Sequence, residues 1–250
     1  MSALALAACV TGPEALPEDP RHELAGVAFF PQDTHQCGPA ALATVLVTTG
    51  VDTTPEQLVP EVYIPARRGS LQLEMLAAAR RHGRIPWLLP PEFTALQAEL
   101  AAGNPVLVLQ DLGALGIRRW HYAVVIGHDP EREVLVLRSG TQRRHLEGER
   151  YFLRSWQASD NWAITLTPPG RIPATATAAA WVRAIADSER HLPAADLDAT
   201  YAAALRRWPD DPLLLFISAN REHARGRTAA AETSYRRLLD SIEAPARAVA

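Results

Sequence analysis

The chain is predicted to fold as an α+β protein: a helix that opens at a cysteine, strands that include one entered by a histidine, and a small all-α segment after them. Three observations predict this. After Cys37, residues Leu42, Val45 and Leu46 fall at helical spacing, and Gly50 is a natural stop. Residues 120–137 hold two apolar, β-branched runs around the polar turn His128-Asp129-Pro130-Glu131-Arg132, which is a hairpin pattern. Beyond a Pro/Ala/Thr-rich stretch near residue 170, the pattern turns helical.

The elements follow in order. Leu6-Ala7-Ala8-Cys9 fits the lipobox of bacterial lipoproteins, in which the cysteine becomes the lipidated first residue. The apolar stretch before it is short and lacks a positive leading segment, so residues 1–22 read as a truncated signal and tether. Val10 after Cys9 favours, by analogy, an outer-membrane lipoprotein facing the periplasm. Without that lipid the expected location is cytoplasmic. Residues 23–168 form the main domain.

Pro39 suits the first turn of the cysteine helix, where its missing N–H costs nothing. Thr54-Pro55-Glu56-Gln57 is a capping box. Ser70 is placed to cap a helix over 71–82 that Gly83 ends, and 96–102 is a further helix closed by Gly103. Residues 104–109 read as a buried strand, and so do 162–166. The Pro- and Arg-rich segment 62–69 reads as a wall of the cleft, with Arg67 and Arg68 either touching substrate or merely solvated.

Cys37 and His121 carry the chemistry. A thiol at a helix mouth sits in the positive end of the helix dipole, and this is expected to favour the thiolate. Trp120-His121-Tyr122-Ala123-Val124-Val125-Ile126-Gly127 puts an imidazole at the entry of a strand. An imidazole there can take the thiol proton and later protonate a leaving amine.

Gln32-x4-Cys37-Gly38-Pro39-Ala40-Ala41-Leu42, followed by the His121 run, resembles the papain-like cysteine peptidases that cut double-glycine leaders from bacteriocin precursors, and their stand-alone bacterial relatives. The resemblance covers about residues 27–167 and implies a papain-like domain in which the cysteine helix packs on an antiparallel sheet bearing the histidine. It implies that Cys37 is the nucleophile and His121 the general base and acid. It also implies that Gln32, rather than Gln36, donates to the oxyanion beside the Cys37 N–H.

The family places an aspartate at the end of the second hairpin strand, where this chain has Leu137-Arg138-Ser139-Gly140. Hairpin arithmetic puts Arg138, Ser139 or Gly140 opposite His121. Ser139 is therefore the candidate orienting residue. Asp129 is a second, although it lies in the turn, about 25 Å away at extended rise. Asp160 or Asn161 could also serve, and a Cys-His pair could act alone.

Composition bounds the rest. With 250 residues, 48% of them apolar, the chain can bury a real core. A net charge of −3 gives no reason to expect nucleic acid as a partner, or a membrane other than through a lipid anchor. Two cysteines, each with a proposed role, leave no disulfide framework or zinc set, and no cofactor is expected. Every basic residue is arginine, which points to GC-rich coding more than to function.

A linker is expected at 169–178. In 179–250, Tyr201, Ala204, Leu205 and Pro209 have counterparts about 34 residues on at Tyr235, Leu238 and Leu239, with Gly226 and Ala231 between. This resembles tetratricopeptide repeats, whose grooves hold peptides or partner proteins, with a plain helical hairpin as the alternative. Three readings stand: a lipid-tethered cysteine peptidase acting on a peptide or protein, an amide hydrolase or acyl transferase using the same thiol, and a non-catalytic lipid-anchored adaptor with a decayed peptidase domain.

Overall fold

A computed structural model describes residues 23–31 and 36–247, with side chains to residue 242; Cys9 and Gln32 lie outside the described residues. Helix α1 (Cys37–Thr48) starts and stops where Pro39 and Gly50 direct, and Gly50 takes the left-handed φ of +88°. The Thr54 capping box opens α2 (Pro55–Val62), with both reciprocal hydrogen bonds made. Two short strands, β1 (Tyr63–Ile64) and β2 (Gly69–Ser70), flank a 3-10 turn at Pro65–Arg67. Ser70 belongs to this small hairpin and does not cap α3 (Gln72–Arg81), whose N-cap is Leu71. Strand β3 (Ile85–Leu88) and helix α4 (Phe93–Ala101) then lead into the main sheet.

That sheet continues with β4 (Val106–Asp111), β5 (Trp120–Asp129), β6 (Val134–Ser139) and β7 (Gln142–Gly148). After α5 (Glu149–Gln157), β8 (Ala163–Thr167) completes it. The spatial order is β3-β8-β4-β5-β6-β7, antiparallel throughout. The sequence pattern does not announce β3, α5 or β7. The β5–β6 hairpin pairs Asp129 with Val134 and Val124 with Arg138, with a bulge between Val125 and Gly127. The turn is thus wider than one centred on residues 130 and 131, and the bulge absorbs part of the difference.

Strand alternation divides the interior into two layers. Tyr122, Val124 and Ile126 pack on one face with Leu42, Val45 and Leu46 of α1, Leu58 of α2 and Met75 of α3. Ala123 and Val125 face the other side, with Leu96 of α4 and with Phe152 and Trp156 of α5.

The same second layer takes in the C-terminal helices α6 (Ala178–Ser188), α7 (Ala194–Arg207) and α8 (Pro212–Ala224), which α9 (Thr228–Arg247) follows. Trp181 of α6 is fully buried, 6.0 Å edge-on from Trp87 of β3, among Ile185, Tyr201 and Leu214. Residues 169–178, expected as a linker, are a pinned strap. Fully buried Glu99 accepts hydrogen bonds from the Ala174 and Thr175 N–H groups and from the Thr175 hydroxyl, while Trp87 Nε1 donates to Thr175 Oγ1. The C-terminal helices therefore share a core with the sheet. Among the described residues, no helix is long and apolar enough to cross a membrane.

Because Trp181 joins the two parts, Trp181→Ala is expected to destabilise the whole chain by about 3–5 kcal/mol. In a urea titration the sheet and the C-terminal helices should lose structure in one shifted transition. A separate early transition confined to the helices would contradict a shared core.

Candidate active site

The mouth of α1 is set by a backbone contact. Gly38 is buried so tightly that a Cβ there would lie 2.2 Å from Ser70 Oγ and 2.6 Å from Ser70 Cβ. Tyr122 donates its hydroxyl to the Ser70 carbonyl at 3.3 Å, tying the β1–β2 hairpin to β5. Cys37, the first residue of α1, is thereby held against β5, and the Tyr122, Gly38 and Cys37 N–H groups all face its sulfur.

These donors favour thiolate, as the helix position led us to expect. Burial outweighs them, however, and the thiol pKa is raised above its ordinary value. The expected lowering of the thiol pKa is thus corrected: taking the sulfur out of water costs the anion more than the helix mouth returns. Burial, with a smaller push from the Cys37 thiol, also raises the Tyr122 phenol and keeps it neutral.

His121 is the second residue of β5, paired across the strand with Gln110 of β4. Its Nε2 lies 2.9 Å from Ser139 Oγ at the end of β6. Burial first, then the charges of Arg119 and His145, push the imidazole pKa down to about 4. Cys37, His121 and Ser139 line one cavity of about 1250 Å³. Among the described residues no hydrogen bond joins the thiol to the imidazole. The sulfur instead faces the N–H of Tyr122, the residue next to His121.

The other sequence candidates separate clearly. Asp129 sits at the far end of β5, where its carboxylate accepts from the Glu131 and Arg132 N–H groups and pairs with the Arg132 guanidinium; it is not brought to His121. Arg138 turns the other way and donates to the Val27 carbonyl. Asn161 donates to the Pro91 carbonyl, whereas Asp160 lines the cavity. Gln36, the exposed N-cap of α1, makes no side-chain capping bond.

Sequence reasoning missed a polar group beside His121. Buried Gln110 donates to Glu147 Oε1 at 2.8 Å and to Ser155 Oγ at 2.9 Å, and His145 lies 3.6 Å from Glu147. A lone glutamine ending the run Val106-Leu107-Val108-Leu109 was the available signal. Residues 24–164 match the model of the Peptidase_C39 like family.

The chain belongs to that family. Among solved structures it is similar to a C39-like peptidase from Bacillus anthracis, at 15% identity and a TM-score of 0.50, covering 60% of this chain and 98% of that one. This likeness supports the fold. It is also similar to a double glycine motif protease from an AMS/PCAT transporter, solved in complex with its leader peptide: 20% identity, TM-score 0.44, with 58% and 94% covered. A third is the peptidase domain of Streptococcus ComA, a bifunctional ABC transporter: 21% identity, TM-score 0.46, with 59% and 98% covered. Among curated proteins, no match was found.

At neutral pH this C39-like site holds a neutral thiol and a neutral imidazole. An NMR titration of His121 should show a midpoint near pH 4, because a lowered pKa keeps the ring uncharged down to that pH. Iodoacetamide should alkylate Cys37 slowly at pH 6–7 and accelerate only above the ordinary thiol pKa of about 8.5. A rapid reaction already present at pH 6 would reveal a thiolate and contradict the dominance of burial.

Proposed function

We propose that this chain is a cysteine peptidase in which Cys37 attacks the scissile carbonyl and His121 handles the proton. The observation that carries the reading is the shared cavity. A thiol at a helix mouth and an imidazole tied by one nitrogen to Ser139 open into the same space. With Nε2–H donating to Ser139, Nδ1 keeps its lone pair and is the nitrogen free to act as base. Because both groups are neutral at rest, proton transfer from sulfur to Nδ1 accompanies attack. The same proton then goes to the leaving amine, and water releases the acyl group.

Gln32 is proposed as the side-chain donor to the oxyanion, on its sequence spacing from Cys37, with the Cys37 N–H as the second donor. Ser139 takes the place of the family's aspartate. A neutral hydroxyl fixes the ring but stabilises imidazolium less than a carboxylate would.

A second reading, a non-catalytic binder, is favoured by the missing carboxylate and by the lack of a thiol–imidazole hydrogen bond. Catalytic hydrogen bonds often tighten only with substrate bound, so this does not displace the first reading. An acyl transfer to an amine acceptor would use the same thiol. Lipidation of Cys9, with attachment to the cell envelope, remains our proposal on the lipobox pattern. The tetratricopeptide-like role of the tail is likewise proposed. It is supported by α8 and α9, which leave Phe216, Leu213, Leu239 and Ile242 exposed where a partner protein would contact them.

Hydrolysis of a peptide library should vanish in Cys37→Ser and in His121→Ala. If both variants retain full cleavage, the peptidase reading is lost. Ser139→Ala should lower kcat/KM roughly tenfold, the worth of one neutral hydrogen bond. Ser139→Asp should raise kcat/KM and move its acid limb above pH 4, because a carboxylate beside the ring raises the imidazole pKa by about 1–3 units. An acid limb unmoved in Ser139→Asp would show that Ser139 does not act through His121. Gln32→Ala should cost about a hundredfold in kcat with KM little changed.

A further inference from the structure

The walls of the cavity carry a charge pattern that the nucleophile does not need. The chain as a whole has a net charge of −3, yet Arg67, Arg68, Arg118 and Arg119 line the cavity against one acidic lining residue, Asp160. Several arginines elsewhere, among them Arg80, Arg81, Arg221 and Arg227, are paired with carboxylates. Among the described residues, the side chains of Arg67, Arg68 and Arg119 make no ion pair or hydrogen bond. Arg118 lies over the ring of Trp120, 5.2 Å from its centre, and 3.8 Å from Asp111.

Both loops that present these groups are built rather than loose. On one wall, Arg68 takes a left-handed φ of +47° and closes the 3-10 turn through its N–H to the Pro65 carbonyl. The β1–β2 pairing and the Tyr122 bond to Ser70 hold that turn against the mouth of α1. On the other wall, Asp111 Oδ1 accepts from the Gly113 and Arg119 N–H groups, and the Leu112 N–H bonds to the Arg119 carbonyl. A Cβ at Gly113 would fall 1.9 Å from the Ile117 carbonyl, so the loop needs glycine there. The Leu71 and Trp120 side chains, 38% and 46% exposed, add apolar surface to the same space.

We propose that the cavity selects peptides carrying a carboxylate close to the bond that Cys37 attacks. This rests on the peptidase reading above and names the substrate class of that site. Guanidinium groups from two loops that line one cavity match a carboxylate through bidentate, charge-assisted hydrogen bonds. The apolar surface suits the flanking backbone and side chains. Three such arginines gather at this one cavity, and a compact cluster of that size fits a short acidic segment better than an extended polyanion. The carboxylate comes either from an Asp or Glu side chain or from a free chain terminus, and both are the same chemistry to an arginine.

The test digests a degenerate peptide library, C-terminally amidated, and reads the cut sites by mass spectrometry. Asp and Glu within about three residues of the cut should be enriched at least about tenfold over the library, and enrichment should shrink as NaCl is raised from about 50 to about 500 mM. A second library of neutral peptides with free termini tests the other source. Cuts confined to bonds next to the terminus assign the carboxylate to the chain end.

In an Arg67→Gln/Arg68→Asn/Arg119→Gln protein the enrichment should fall to about one, while the corresponding triple Lys protein keeps part of it. Asn is chosen at position 68 because it tolerates the left-handed backbone. Separately, fluorescence anisotropy on Cys37→Ala compares a labelled peptide bearing two Glu with its Gln counterpart, using oligothymidylate as competitor. Cleavage without charge preference overturns the proposal and leaves the peptidase reading standing. Arginine-dependent binding of the Glu peptide with no cleavage by the native chain does the reverse. Oligothymidylate binding more tightly than the Glu peptide would overturn the peptide assignment.

Discussion

The close approach of α1 to the β1–β2 hairpin is the constraint on which the site depends. Only a residue without a side chain fits at position 38, because a Cβ there would sit inside the van der Waals radius of Ser70. That contact seats the helix mouth low on β5, brings the Cys37 sulfur to the Tyr122 N–H, and carries Arg67 and Arg68 to the rim of the same cavity. Ser70 Oγ is buried with no hydrogen-bond partner among the described residues. An unmet hydroxyl costs about 1–3 kcal/mol, so the fold gives up stability to hold this approach.

Two electrostatic effects compete at the sulfur, and their sizes decide the outcome. A helix terminus typically contributes about 0.3–1 kcal/mol toward a charge near it, and each pKa unit corresponds to about 1.4 kcal/mol. The desolvation of a mostly buried group reaches several units. Burial therefore prevails at Cys37 despite three facing N–H groups, and it prevails again at His121. The result is a neutral pair rather than a thiolate–imidazolium pair. On the proposed reading, such a pair keeps its proton until a substrate carbonyl is in place.

Much of this was legible in the sequence because local rules and packing agreed. Pro39 and Gly50 set the ends of α1, Thr54 and Gln57 made their capping box, and the β5–β6 hairpin formed where the apolar runs required. Ser139 reached His121 because strand pairing is set by the turn and varies by little more than a bulge. The failures have physical causes too. Ser70 has the residue type of a helix cap, yet tertiary packing against Gly38 claimed it. Strand β7 reads Gln142-Arg143-Arg144-His145-Leu146-Glu147-Gly148 and has no apolar face to announce it. It forms because β6 offers an edge and because Glu147 finds Gln110. The strap at 169–178 has the composition of a linker, and partners far away in sequence, Glu99 and Trp87, make it part of the core. The thiol was misjudged because a helix mouth can be read from sequence while its depth in the protein cannot.

The same depth links the two unusual features of the site, the missing aspartate and the arginine rim. Arg119 contributes to the low pKa of His121, since a nearby positive charge disfavours imidazolium. With Ser139 in place of a carboxylate, nothing at the second nitrogen opposes that push. A carboxylate bound by Arg119 cancels part of its field at the ring and so returns the imidazole pKa toward its ordinary value. On the proposed reading, a substrate's own charge therefore does electrostatically what the absent aspartate does in the family. That gain offsets only the Arg119 part of the lowering, while burial, the larger cause, persists with a peptide in the cavity. A rim of unpaired arginines then serves both selection and the chemistry, because the ligand that neutralises it is also the one that makes proton transfer to His121 more favourable.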